Sequence, residues 1–365
     1  DCGDAIPGDA LGTVSKGELI VDLMNCVGYD YAVPGNHEFG YGMEQLSSLI
    51  GRSDATYLGC NITYTGKGTS LLSEVKPYEI KEYGGKKVAY IGVLTPASLT
   101  SSLPSSFKED GEFVYGFCGE SNEAFYSQVQ KNIDACKEEG ADHIVILAHL
   151  GDEDDGEVPS SIGLIKNTTG IDAVLDGHSH STISSRVIRD KDGNAVLLSS
   201  TGTKLNAIGQ MVITADGYIS TGLITEFDEK DSATAVAVEK AKSDFDSILK
   251  EVVATSDIAL SVSDEKGIRI VRTRETAIGN LCADAYRSVS GADIAVVNGG
   301  GIRADLPKGN ITYSDIISVH PHGNTLCVVK ATGQQILDML ETASRNTKAA
   351  YEENGNATGE FGGFM

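Results

Sequence analysis

The 365-residue sequence contains no tryptophan, only five methionines and eight prolines. No apolar run approaches the roughly 18 residues that a membrane-spanning helix requires, so no transmembrane segment is expected. Cysteines number seven, but no two stand as C-x-x-C, which argues against a zinc ribbon and a thioredoxin-like site. Their odd count fits free thiols better than a disulfide framework. Basic residues are few, 29 against 52 acidic ones, for a formal net charge of −23. Such a balance repels a phosphate backbone unless the basic side chains gather on one face, and no basic cluster is visible; a nucleic-acid polymer is therefore not expected as a partner. Small phosphate esters are another matter, because bound divalent ions reverse the local field inside an acidic protein. The sequence opens at Asp1-Cys2-Gly3-Asp4 without the basic and apolar stretches of a signal peptide.

What is present is ordinary globular composition, 41% hydrophobic and 22% charged, over a length that suits two domains. Through about residue 225, segments rich in Val, Ile and Leu alternate with amphipathic ones, the pattern of an α/β fold. Continuous apolar runs at Lys87–Val93, His143–Ala148 and Ile171–Leu175 predict short strands covered on both faces. A helix is predicted from about Glu123 to Glu139, capped by Ser121 or Asn122 and stopped by Gly140. A linker helix is expected from Ala233 to about Val253. Beyond it, a second α/β unit is expected with a strand at Ile294–Val297 and a helix at Gly333–Ser344. No internal repeat of fixed period is present.

Asp, Asn and His, the oxygen and nitrogen ligands of divalent ions, recur just after apolar segments. They form four motifs: Gly3-Asp4, Gly35-Asn36-His37-Glu38, Ala148-His149 and Gly177-His178-Ser179-His180. Each has a bland reading in isolation, as a solvated turn, a satisfied core histidine or a chance His-x-His. In an extended segment, however, His178 and His180 share a side roughly 6.5 Å apart and could straddle two ions about 3.5–4 Å apart.

Taken in order, the four motifs resemble those of calcineurin-like metallophosphoesterases. The downstream segments Arg272-Thr273-Arg274-Glu275-Thr276, Gly279-Asn280-Leu281 and Asn298-Gly299-Gly300-Gly301-Ile302-Arg303 narrow the resemblance to the 5′-nucleotidase family, over nearly the whole chain. The resemblance implies a layered α/β/β/α sandwich at residues 1–226 lacking its first strand, and a linker helix within 227–254. At 255–365 it implies a smaller α/β substrate-binding domain that is incomplete at its end. It implies two divalent metal ions, drawn from Zn, Mn, Mg and Ca, with Asp4 bridging them; Asn36, His149 and His178 complete one site, and His180 serves the other. His37 is implied as the catalytic residue that binds the phosphate. Arg272, Asn298, Gly300, Arg303 and His322 are implied as substrate-binding. The expected reaction is hydrolysis of nucleoside 5′-monophosphates, with 2′,3′-cyclic nucleotides or UDP-sugars as further candidates, by in-line attack of a metal-bound hydroxide. The expected location is extracellular, periplasmic or at the cell surface. Asn-x-Ser/Thr triplets at Asn61, Asn167, Asn310 and Asn356 are compatible with it.

The sequence also departs from the family. An Asp-x-His motif that would precede Asp4 is absent, which leads to the expectation of fewer than two metals per chain and poor hydrolysis. Gly40 stands where an Asp usually orients the catalytic imidazole, with Glu38 as the candidate substitute. His322 stands where a phenylalanine is common. His320 and His322 are expected on a solvent-facing loop rather than as a metal pair. These departures support a rival reading, a non-catalytic surface protein that keeps the fold with one structural metal.

Overall fold

Four strands, Ala195–Thr201, Ala173–Asp176, His143–His149 and Lys86–Leu94, lie side by side and parallel. Thr182–Arg189 and Tyr78–Tyr83 close the two edges antiparallel, giving a six-stranded sheet. The apolar runs form these strands because the sheet is covered on both faces. Ala89, Ile91, Val93, Ile144, Ile146 and Ala148 face one core with Phe125, Val129 and Ile133. The alternate residues Val88, Leu94, Val145 and Leu147 face another core with Phe39, Leu46, Phe107 and Phe117. Parallel neighbours need crossover connections; helices Asn122–Glu138 and Ser161–Asn167 supply two of the three, and the edge strand Thr182–Arg189 lies in the third. The first has the predicted extent within a residue: Ser121 accepts a hydrogen bond from the Ala124 amide, and Gly140 takes a left-handed φ of 85°.

The computed structural model describes residues 1–6, 10–153, 156, 158–321 and 324–344. Over the second core lie the parallel pair Tyr31–Ala32 and Thr56–Tyr57, the hairpin Ile208–Ile213 with Ile219–Ile224, and helix Met43–Arg52. The α/β class expected from the sequence holds. The second β layer consists, among the described residues, of separate pairs rather than one sheet.

The chain divides into two units. One comprises the described residues of Asp1–Pro7 and Ser15–Glu239, the other those of Gly8–Val14 and Lys240–Met365. The division falls inside helix Ser232–Leu249, which ends before the expected Val253 because Val252–Ser256 pairs as a strand with Gly309–Thr312. The second unit has its own apolar core of Leu260, Val271, Ile278, Ile302, Leu306 and Ile311. The strand expected at Ile294–Val297 does not form. Only Val297 reaches the core, at 6% exposure, while Ile294 is 56% exposed, so the segment has one inward side chain and, among the described residues, no neighbouring strand. Helix Gly333–Ser344 forms as predicted.

Candidate metal centre

The four ligand motifs of the first unit meet at the carboxyl ends of its parallel strands, where an α/β sheet opens a crevice. His149 is the last residue of its strand and is 1% exposed. Its Nδ1 lies 2.6 Å from the Cys2 carbonyl oxygen, an acceptor only, so Nδ1 carries the proton and Nε2 presents a lone pair. Around that Nε2 stand Asp4 Oδ2 at 3.1 Å, Asn36 Oδ1 at 3.2 Å and His178 Nδ1 at 3.2 Å. Four electron-rich atoms thus face one another, and one shared proton cannot satisfy them. A cation among them would. Asp4, His149 and His178 are the His/Cys/Asp/Glu group among the described residues whose ligand atoms all lie within 4.8 Å of one another, and Asn36 adds a fourth donor.

The electrostatics agree with that geometry. Burial opposes charge at Asp4 and His149. Even so, their contact holds the Asp4 carboxyl below its usual range and the His149 ring above its own. Burial, with the nearby His149 charge, pushes His178 down to about 4, leaving its ring neutral and available as a ligand.

Several braces hold the cluster. The Glu38 carboxylate, 2% exposed, accepts from four backbone amides: Asp4 at 2.8 Å, Ala5 at 2.8 Å, Ile6 at 3.1 Å and Gly35 at 2.6 Å. Glu38 is therefore the anchor of the Asp4 loop and not the partner of the His37 ring that the sequence suggested. Its oxygens are already committed. Asp176 Oδ1 accepts from the Leu150 and Gly151 amides, fixing the turn after His149, and burial raises its pKa to about 6. Asp152 Oδ1 accepts from the hydroxyls of Ser179, at 2.7 Å, and Ser181, at 2.6 Å, clamping the His-Ser-His segment. Asp4, His178 and His180 have φ of 61°, 74° and 58°, in the left-handed region that few non-glycine residues occupy. Gly3 and Gly35 allow the tight approach: a Cβ on Gly35 would sit 2.2 Å from Asp4 Oδ1.

Sequence reasoning passed over Asp152 and Asp176. Asp176 had a signal, an acidic residue closing an apolar strand. Asp152 had none, because its partners are hydroxyls across a loop.

Of the other expected site residues in this unit, His37 is half-buried and its amide donates to Asp4 Oδ1 at 2.9 Å. His180 is exposed and outside the tight group of three. In the second unit, Arg272 packs on Gly300: a Cβ there would meet its Nη2 at 2.8 Å. Asn298 Oδ1 caps the Gly299–Gly301 turn by accepting from the Gly300 amide at 3.0 Å. Desolvation and then the Arg272 charge lower the pKa of Arg303. Arg269, which sequence reasoning missed, joins them; desolvation and both charges lower its pKa, and it donates to the Ile302 carbonyl. Its signal was a third arginine within the same short segment. His322 lies outside the described residues.

The fold is the mixed α/β fold of solved calcineurin-like phosphoesterases, and it carries a ligand cluster that could hold a metal ion. Residues 252–362 match the family model of the 5′-nucleotidase, C-terminal domain, and the chain's relatives are 5′-nucleotidase-family proteins with this fold, as the sequence resemblance implied. The trifunctional nucleotide phosphoesterase protein YfkN of Bacillus subtilis is 29% identical over 95% of this chain and 25% of its own length. The 5′-nucleotidase of Bos taurus is 26% identical over 99% of this chain and 64% of its own. The chain thus spans between a quarter and two thirds of these relatives. In fold it matches the crystal structure of a 5′-nucleotidase precursor from Thermus thermophilus with a TM-score of 0.75 at 24% identity, covering 100% of this chain and 71% of that one. Among the described residues no helix is long and apolar enough to cross a membrane.

Proposed function

We propose that the chain is a metal-dependent phosphoesterase that hydrolyses nucleoside 5′-monophosphates, the substrate class named for the bovine relative. The observation that carries this reading is the convergence of Asp4, Asn36 and His178 on His149 Nε2, each within 3.2 Å. Two imidazole nitrogens among four donors suit a borderline divalent ion such as Zn better than the harder Mn, Mg or Ca. When bound, such ions neutralise phosphate charge and lower the pKa of a water molecule.

The chain's own residues do the rest. Glu38 and Cys2 hold Asp4 and His149 in ligating geometry; Asp4, Asn36, His149 and His178 would hold one ion, and Asp4 with His180 would serve a second. His37, tied through its amide to Asp4, is assigned to the phosphate, where its ring would stabilise charge on the leaving side. In the second unit, the guanidinium forks of Arg272 and Arg303 match phosphate oxygens in bidentate fashion, and the Gly300 turn offers a flat approach to a base beside Asn298. In this reading residues 1–226 bind metal and residues 255–365 recognise substrate. Cyclic nucleotides and UDP-sugars present the same phosphate chemistry and are secondary candidates. The proposed location is outside the cytoplasm.

Phosphate release from AMP with added Mn or Zn tests the reading. Asp4→Ala and His37→Ala are each expected to abolish it. A chain that binds the ions but releases no phosphate above the Asp4→Ala background would instead favour the non-catalytic, single-metal reading.

A further inference from the structure

His320, expected on a solvent-facing loop, is half-buried in the second unit, where it ends helix Tyr313–Val319. Its Nδ1 lies 3.2 Å from the Gly301 carbonyl oxygen, its Nε2 lies 3.3 Å from Cys282 Sγ, and the same Nε2 lies 3.1 Å from the Tyr286 hydroxyl. Cys282 and Tyr286 sit one turn apart on helix Ala277–Ser290, which aims both at the ring. Cys282 is 8% exposed and is a free thiol. The Gly301 oxygen only accepts, so the neutral ring carries its proton on Nδ1 and aims the Nε2 lone pair between the thiol and the phenol. Two donors then compete for one lone pair. A backbone carbonyl on the far nitrogen, a lone pair on the near one and a thiol beside it are also how proteins prepare a histidine to bind metal.

We propose that Cys282 and His320 form a second metal site, selective for a thiophilic d10 cation such as Zn2+ or Cu+. On binding, the thiol loses its proton to solvent, a sulfur–metal bond replaces S–H, and Nε2 donates to the same ion. The Tyr286 hydroxyl, which shares Nε2 with the thiol in the metal-free protein, would give up that acceptor to the ion. A thiolate with one imidazole is a softer donor set than the carboxylate, amide and two imidazoles around His149, so the two sites choose different ions. Because His320 also holds the Gly301 carbonyl, an occupied site would stiffen the Gly299–Gly301 turn. The inference does not depend on the phosphoesterase reading, since it needs neither hydrolysis nor nucleotide.

Cobalt(II), a visible stand-in for zinc, added to the full chain under a non-thiol reductant is expected to give the near-ultraviolet band of thiolate-to-cobalt charge transfer. The band should survive Asp4→Ala and the double variant Cys26→Ser/Cys327→Ser, which removes the two exposed thiols. It should vanish in Cys282→Ala. His320→Gln should weaken cobalt binding by at least about tenfold, the loss that even an outer partner of a ligand causes. No band in the folded wild-type chain, or a band that persists in Cys282→Ala, would overturn the site. Should Cys282→Ala fail to fold, peptide-level alkylation of the unmodified chain decides: Zn2+ must slow labelling of Cys282, and equal labelling with and without Zn2+ rejects the proposal.

Discussion

The Glu38 carboxylate grips the backbone of Asp4, accepting its amide at 2.8 Å, so the residue next to the histidine motif sets the position of a ligand 34 residues away in sequence. Glu38→Gln keeps the shape but turns one acceptor oxygen into a donor facing amide N–H groups. The expected cost is about 3 kcal/mol of stability, from charged hydrogen bonds lost and buried amides left unpaired. Mn2+ affinity should fall by roughly 10–100-fold, the range for a lost outer partner. Calorimetric titration and thermal unfolding measure both, and an unchanged affinity in a destabilised variant would show that Asp4 does not need this anchor.

Ion uptake should depend on pH through His149. In the metal-free protein Asp4 holds the His149 pKa above its ordinary value, whereas His178 is already neutral above about 4. Below the raised pKa a proton occupies His149, and an entering ion must expel it. Affinity should therefore climb with rising pH, by up to about tenfold per unit, and level off once His149 is neutral. Titrations in buffers of different ionisation enthalpy, run at a series of pH values, count the released protons. Release that stays constant across the whole series would contradict the assignment.

Two glycine substitutions should separate ion binding from substrate binding. In Gly35→Ala the new methyl would meet Asp4 Oδ1 at 2.2 Å and the Asp4 nitrogen at 2.6 Å, against a loop that cannot yield. Gly300→Ala would meet Arg272 Nη2 at 2.8 Å, the end of a side chain that can swing aside. The first should abolish tight Mn2+ binding. The second should leave ion affinity intact and raise KM for AMP by about tenfold, the effect of one displaced charged contact. Loss of ion binding in Gly300→Ala would refute this division of labour.

Position 40 offers a gain-of-function test. A Cβ on Gly40 would meet nothing within 4 Å, and its backbone is not left-handed, so a side chain fits. Gly40→Asp should supply the carboxylate that orients the His37 ring and raise kcat by about tenfold without altering ion affinity. A folded Gly40→Asp protein with unchanged kcat would mean that the His37 ring is already oriented by other groups.

Much of the first unit was legible because its strands are covered on both faces, and such strands read as unbroken apolar runs; His143–His149, buried throughout, is the clearest. The ligand motifs were legible because His149 and Asp176-Gly177-His178 follow directly from those strands. Glu38 was misread for a physical reason. Its partners are backbone amides, which every residue carries, so no side-chain pattern marks the anchor. Ile294–Val297 misled because β-branched residues read alike in a strand and in an irregular segment with one side chain tucked inward. His320 misled because the neighbours that bury it, Cys282 and Tyr286, lie more than thirty residues earlier.

The left-handed backbone at Asp4, His178 and His180 bears on how this protein could change over generations. Asp and His tolerate that conformation better than most residues, yet glycine would occupy it at lower free energy. Selection for heat resistance alone would therefore favour glycine at positions 4, 178 and 180, and each such step would delete a candidate ligand. Endurance and ion capture pull in opposite directions at the same three residues. A more heat-resistant variant of this chain is the first place to look for one that has lost a candidate ligand.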